Sequence, residues 1–390
     1  MEKTGPLAMS RGYQPYEPGH CFADPDGAPP LLFVSPSQYV QAPGAIRRLG
    51  GYLAELLGPG TRAGVLITPG RRRALLDTVA ESFRQAGLGL ADLTFAGESS
   101  LTEVERVPAA FRAQGVHAVV GIGGGKCLDT ARLAANRLGA PAVTVPTTAS
   151  TDAPTAAVSV IYRDDGVFDR VEFSRTNPLL VLADETILAA APPRYLAAGM
   201  GDAFSTYYEA RCCLQNPAAR TGRGARPTMG ALAIARQCRE QLLAHGPAAL
   251  AELRDGLPGA AFRHIVEANI LLSGLGFESG GLAGAHAVAQ GLTVCPELHR
   301  HFLHGELVAV GVMVELLLED RLEEAAAARD FLISIGLPTH LGDLGFDPEY
   351  RAAQFSDIVA AILRVPFLQS EPMPVSAGMM RAALLRAMTF

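Results

Sequence analysis

"VVGIGGGKCLDTARLAA" (Val119–Ala135) opens as an apolar run, breaks at three consecutive glycines and continues with helical spacing. Its first half, with Ala118, reads AVVGIG and shows no polar alternation. That is the pattern of a strand buried on both faces, as in a parallel sheet. The helix that follows offers unpaired N–H groups and the positive end of its dipole. Gly123, Gly124 and Gly125 would let a phosphate approach the backbone closely. Lys126 stands at the same turn, and Asp129, one turn further on, could meet a ribose hydroxyl or cap the helix start. The glycines fit neither GxGxxG nor the GxxxxGK pattern of P-loops, so the two commonest phosphate fingerprints do not apply. A tight βα turn with no ligand would use the same residues.

The pattern repeats on both sides. "LLFV" (31–34), "AGVLIT" (63–68), "LTFAG" (93–97) and "APAVTVPT" (140–147) read as strands. "ALLDTVAESFRQAG" (74–87) and "LTEVERVPAAFRAQG" (101–115) read as helices, the second despite its proline. Strands alternating with helices of this length imply βαβ units. From about Pro192 strand signals fade and long helical stretches take over, including "PPRYLAAGMGDAFSTYYEARCCL" and "GELVAVGVMVELLLEDRLEEAAAARDFLISIG". The expected organisation is an N-terminal arm over 1–30 with little periodicity to order it, an α/β nucleotide-binding domain over 31–190, and an all-α domain over 191–390. A ligand is expected in the cleft between the two domains, outside the carboxyl ends of the strands.

Composition agrees with a large buried core. The chain has 390 residues, 49% of them hydrophobic and 18% charged, which excludes global disorder and suggests two domains. A net charge of −6 without a long basic tract argues against a nucleic-acid partner. No apolar run has membrane-spanning length, and the start has no secretory h-region. The six cysteines form no CxxC pair, so a reduced, cytoplasmic setting fits best.

Four of the nine histidines fall between Gly284 and Glu306, in "GAHAVAQGLTVCPELHRHFLHGE". Most histidines on helices are ordinary surface or core residues, so this clustering needs a second signal before it implies chemistry. That signal comes from the rest of the chain. "GIGGGKCLDTARLAA", "VPTTASTDAPTAAVSVIY", "NPLLVLADETIL", "APPRYLAAGMGDAFSTYYEA", "LLSGLGFESGGLAGAHAVAQGLT" and "HGELVAVG" closely resemble glycerol dehydrogenases. These belong to the metal-dependent alcohol dehydrogenase superfamily often called iron-containing, whose fold is shared with dehydroquinate synthase. The resemblance runs from about Ser35 to the last helices.

The resemblance implies a zinc-dependent oxidoreductase that passes a hydride between a small polyol or vicinal diol and NAD, with zinc polarising the substrate hydroxyl. It implies Asp202, His286 and His304 as metal ligands, and leaves His299 and His301 as neighbours or surface residues. His286 and His304 are 18 residues apart, or about 27 Å along one straight helix. They can meet only if the chain turns, for which Pro296 is placed. Two imidazoles and one carboxylate leave a fourth position open, as in catalytic rather than structural zinc sites. The iron branch carries a histidine one turn after the aspartate. Here that residue is Thr206, which favours zinc. By the same resemblance Asp152 meets the substrate and takes part in proton transfer, its alternative being a turn cap. Thr147, Thr148 and Ser150 bond the cofactor, and Val158 and Tyr162 line its nicotinamide side. The family forms symmetric oligomers, so a homo-oligomer is expected.

Three departures bear on specificity. An acidic residue usual after the second strand is replaced near Pro69, and Arg71, Arg72 and Arg73 follow, an arrangement that could admit the 2′-phosphate of NADP. Ala156 stands where a serine is usual, and Ala289 and Gln290 stand where "HN" is usual, beside the metal. Two rival readings remain. A glycerol-1-phosphate dehydrogenase-like or dehydroquinate synthase-like enzyme would need several cations by the metal. A catalytically inactive nucleotide-binding or assembly subunit would not need an intact ligand set.

Overall fold

A computed structural model describes residues 15–19 and 29–390; most of the expected arm lies outside the described residues. The first half of the chain is built on strands β1 (Gln38–Ala42), β2 (Arg62–Ile67), β3 (Gly89–Thr94), β4 (Ala118–Gly123), β5 (Ala142–Pro146), β6 (Val158–Tyr162), β7 (Phe168–Phe173) and β8 (Leu180–Asp184). Six of them form one parallel sheet in the order β1-β8-β5-β4-β2-β3, while β6 and β7 pair as an antiparallel hairpin. Helices α1 (Leu49–Leu57), α2 (Pro69–Gln85), α3 (Leu101–Ala113) and α4 (Gly125–Leu138) connect successive strands from β1 to β5, and the short α5 (Glu185–Ala189) follows β8.

Both faces of the sheet are covered, which explains the unbroken apolar strands. Val65, Ile67, Val120 and Ile122 pack with Leu49, Leu53 and Phe83 on one side. Leu66 and Val119 pack with Phe111 and Ala131 on the other. From β2 the chain steps outward to β3, returns to β4 on the other flank of β2, and then continues to β5. The order therefore reverses between β2 and β4, and the crevice at such a reversal is where open α/β sheets bind ligands. The turns at Pro69 and Gly123–Gly125 flank that crevice. They are tied together by the Thr68 N–H donating to the Ile122 carbonyl at 3.1 Å.

The second half is helical: α6 (Pro193–Gln215), α7 (Met229–Arg254), α8 (Ala260–Glu267), α9 (Ser273–Gly280), α10 (Gly284–Leu292), α11 (Pro296–His301), α12 (His304–Leu318), α13 (Leu322–Ser334), α14 (Ala352–Ile362) and α15 (Ala377–Ala387). A single π-type turn, Ala268–Leu272, joins α8 to α9. One continuous core runs through Phe204, Leu242, Phe262, Val288, Val312, Leu332 and Ile358. None of the described helices is long and apolar enough to cross a membrane.

Several sequence expectations need correction. "LLFV" is not a strand: Leu31 is 70% and Phe33 44% exposed, and only an isolated bridge from Leu31 to Arg226 forms. An apolar run makes a strand only where a sheet edge is free to pair with it. The strand expected at "LTFAG" lies earlier, at Gly89–Thr94. The long helix expected from Gly305 onward breaks at Asp320, whose φ of 58° no helix accommodates. Strands β1 and β8 and the β6–β7 hairpin were not expected from the sequence.

Candidate active site

Asp202 sits in the middle of α6, a helix whose glycines allow other segments unusually close. A Cβ on Gly199 would meet the Ala149 carbonyl oxygen at 2.0 Å, so the Thr147–Asp152 loop can lie directly on α6. A Cβ on Gly201 would meet the Gly305 oxygen at 2.4 Å, and one on Gly305 would meet the Ala198 oxygen at 1.8 Å. The glycines of "GMGD" and "HGE" thus press α6 and α12 together at the turn that carries Asp202 and His304. The α12 turn is fixed further by Glu306, which accepts from the Leu303 N–H at 2.7 Å and pairs with Arg194 at 2.6 Å.

His286, two residues into α10, completes the group. The chain turns between α10 and α11 at Thr293–Cys295, with Pro296 opening α11. Asp202 Oδ1 lies 3.4 Å from His286 Nε2 and 3.3 Å from His304 Nε2. The three ligand-type atoms all lie within 4.8 Å of one another. Asp202 is 1% exposed, and its Oδ1 has no hydrogen-bond partner among the described residues. A buried carboxylate oxygen without a partner is costly, and two ring nitrogens converging on it describe a cation site. Burial alone would raise the Asp202 pKa, but His304 and His286 outweigh it and hold the carboxyl far below its usual range.

Glu209, two turns after Asp202 on α6, was not singled out from the sequence. It is fully buried, and its Oε2 lies 2.6 Å from His286 Nδ1. Its Oε1 accepts from the Ala283 and His286 N–H groups, both at 2.9 Å. A carboxylate at Nδ1 places the ring proton there and turns the Nε2 lone pair toward Asp202, the tautomer a metal requires. Burial opposes charge on His286, but Glu209 and Asp202 push its pKa well above the ordinary value. The sequence signal was an acid seven residues after Asp202, helically in phase with it.

Asp152 joins the same group. Its N–H donates to Asp202 Oδ2 at 3.2 Å, and its Oδ2 accepts from Ser273 Oγ at 2.8 Å. Its side chain makes no cap bond to the short turn that follows, so the cap reading fails. Burial and the neighbouring Asp202 push its carboxyl well above the usual range. Thr206 is bonded to Ser273 at 3.0 Å, so its hydroxyl is engaged away from the triad. His301 is exposed. His299 stacks on Tyr162 with ring centroids 6.5 Å apart, which sets it opposite the sheet half.

On the sheet side, Gly124 and Gly125 face open space: a Cβ on either would meet nothing within 4 Å. The opening N–H groups of a helix lack partners within it and suit an anion. Lys126 pairs with Glu98 at 2.6 Å and lies over the Tyr162 ring at 4.6 Å. Thr148 and Ser150 share a hydrogen bond of 3.1 Å, and the Thr147 N–H donates to the Gly123 carbonyl at 3.0 Å. Val158 begins β6, its carbonyl accepting from Arg132 at 2.9 Å. Asp129 departs from expectation. It is buried, bonded to Arg132 through Oδ1 and to the Val160 N–H through Oδ2, so it is neither a helix cap nor free to meet a ribose.

Comparison with known proteins gives the family. A family model described as iron-containing alcohol dehydrogenase matches residues 40–192. A glycerol dehydrogenase of Escherichia coli is 40% identical over 91% of this chain and 96% of its own length. The chain belongs to the iron-containing alcohol dehydrogenase family, in its glycerol dehydrogenase branch. A Pseudomonas putida glycerol dehydrogenase is 44% identical over 80% of this chain and 84% of its own. The crystal structure of a probable glycerol dehydrogenase from Sinorhizobium meliloti superposes with a TM-score of 0.83 at 38% identity, covering 92% of this chain and 98% of that one. Membership makes the chain an alcohol dehydrogenase-type oxidoreductase and accounts for both the parallel sheet and the helical C-terminal region.

Proposed function

We propose that this enzyme oxidises a small vicinal diol, with glycerol the first candidate, and delivers the hydride to NAD. In this reading Asp202, His286 and His304 hold a zinc ion. The observation that carries it is the orphaned Oδ1 of buried Asp202 facing two imidazole nitrogens. When bound, such an ion supplies Lewis-acid polarisation of the substrate hydroxyl. Nitrogen and oxygen donors with a position left open suit zinc, and Thr206, occupied by Ser273, adds no fourth ligand.

The remaining work belongs to the chain's own groups. Glu209 fixes the His286 tautomer. Asp152, steadied by Ser273, binds a substrate hydroxyl and takes part in moving its proton. The amides at Gly124 and Gly125 receive the pyrophosphate, with Gly123 and Lys126 completing the turn. Thr147, Thr148 and Ser150 contact the cofactor, and Val158 and Tyr162 flank its nicotinamide. Asp129 drops out of the cofactor set, because both its oxygens are taken.

A phosphorylated substrate is disfavoured by the cations at hand. Arg194 is neutralised by Glu306, Arg211 by Glu319 and Glu324, and Arg300 bonds the Pro296 carbonyl of its own helix. The test is reduction of NAD with glycerol and 1,2-propanediol, before and after chelation and zinc restoration. Diol-dependent reduction should vanish on chelation and return with zinc. Full activity in metal-stripped protein, or no turnover of any diol with either nucleotide, would overturn the reading.

A further inference from the structure

A second group of ligand-type atoms lies ten residues further along α6, at Cys212. That spacing is about 15 Å of helix, enough to separate it from the triad. Cys212 Sγ, a carboxylate oxygen of Glu315 on α12 and one of Glu371, in the segment before α15, all lie within 4.8 Å of one another. All three residues are buried, with Glu371 only 2% exposed.

Hydrogen bonds around this group do not close. The N-terminal amides of α10 satisfy one oxygen of each acid: Gly284 N–H donates to Glu371 Oε1 at 2.8 Å, and Ala285 N–H to Glu315 Oε2 at 2.7 Å. Among the described residues, Glu371 Oε2 has no hydrogen-bond partner. Glu315 Oε1 has only the Cys212 thiol, at 3.3 Å, and that thiol's single proton is also claimed by Glu319 Oε1 at 3.0 Å. The nearby arginines serve other acids: Arg211 pairs with Glu319 and Glu324, and Arg321 with the same two. Among the described residues no cation pairs with Glu315 or Glu371. The orphaned carboxylate oxygen at Asp202 is the sign of the first site, and Glu371 repeats it here.

We propose that Cys212, Glu315 and Glu371 form a second, buried site for a zinc-class divalent cation. The donor set is one thiolate and two carboxylates, the softness range that zinc accepts and magnesium or calcium does not. Binding exchanges protons for the ion, those held by the Glu315 and Glu371 carboxyls as well as that of the thiol, and all pass to solvent. Cys212 S–H loses its proton to solvent and the sulfur bonds the metal, with no change of oxidation state. Without a cation, burial and the surrounding acids push the thiol well above its ordinary range, and burial with Glu319 pushes Glu371 up to about 8. Glu371 also lines a surface pocket of about 370 Å³ with Asn216, Gln369 and Pro372. The ion would tie α6, α12 and the segment before α15 around the N-terminus of α10, the helix that carries His286. Its role is structural, since it touches neither substrate cleft nor glycine turn.

The experiment uses the full chain, stripped with a chelator and reloaded with zinc or cobalt(II). Wild type should hold two zinc ions per chain, and Glu371→Gln, Cys212→Ser and His304→Ala should each hold one. Cobalt adds a readout that ignores the first site, whose ligands include no sulfur. A thiolate-to-cobalt charge-transfer band should appear in wild type, in His304→Ala and in Cys213→Ser, and disappear in Cys212→Ser. Glu371→Gln is nearly isosteric and keeps the α10 amide bond acceptor, so it serves if Cys212→Ser does not fold. One ion per chain in wild type with no sulfur band would overturn the proposal. So would a band that survives Cys212→Ser, or a stoichiometry of two that survives Glu371→Gln.

Discussion

At the triad, Asp202 is 1% exposed, packed where Gly201 and Gly305 bring two helices into backbone contact, and surrounded by groups that have partners of their own. At the turn after β2, charge is held differently. Arg71 and Arg73 form no ion pair among the described residues, and Arg72 reaches back to Asp92 on β3, with its side chain 36% exposed. In the first place backbone packing dictates what each atom faces. In the second, water, Asp92 and an arriving ligand compete for the same guanidinium. Charges of the first kind should fail sharply when altered, and charges of the second kind should shift by degrees.

The sharpest test of that contrast is removal of a triad imidazole. His286→Ala and His304→Ala should each lose the triad's metal ion and lower kcat by on the order of 10³-fold or more, since Lewis-acid stabilisation amounts to several kcal/mol. His299→Ala and His301→Ala should retain the metal. Elemental analysis beside steady-state kinetics decides it, and full zinc occupancy in both triad variants would sink the ligand assignment.

Asp152 lies between the extremes, buried yet facing the place where substrate should enter. Asp152→Asn should keep zinc and cofactor affinity. It should lower kcat/KM by about 10- to 100-fold, the scale of one hydrogen bond to a charged group. Wild-type kinetics in Asp152→Asn would remove the residue from the mechanism.

The same contrast explains what could be read in advance. The parallel sheet and the helical second half follow from strand runs buried on both faces and from long helical periodicity. Asp202, His286 and His304 were legible through the family resemblance of the motifs that carry them, and the structure brings their ligand-type atoms together. Glu209 was less so, since its meaning depends on α10 arriving beside α6, a contact no local pattern encodes. Asp129 was misread because its partners, Arg132 and the Val160 amide, come together only when β6 packs on α4. "LLFV" was misread because an apolar run says nothing about whether a sheet edge is free.

The smallest expected effect concerns the adenosine end of the cofactor. Pro69 opens α2, near the place where the family resemblance puts a carboxylate that would accept bonds from both ribose hydroxyls and repel a 2′-phosphate. Its absence should leave discrimination against NADP weak even if NAD is preferred. The structure narrows which arginine can add to this. Arg72 is engaged by Asp92, so a phosphate must compete for it, whereas Arg71 and Arg73 have no such rival. A charge-assisted bond from either would contribute roughly 1.5–3 kcal/mol if it faced the phosphate, and almost nothing if it stayed in water. Pro69→Asp should therefore shift the ratio of kcat/KM with NAD to that with NADP toward NAD by about tenfold. Asp92→Asn should shift it the other way by a smaller factor, because it frees Arg72 without adding a new contact. The ratio measured on wild type and both variants tests the placement. A wild type that rejects NADP by several orders of magnitude, unmoved by either change, would mean that the adenosine pocket is not at this turn.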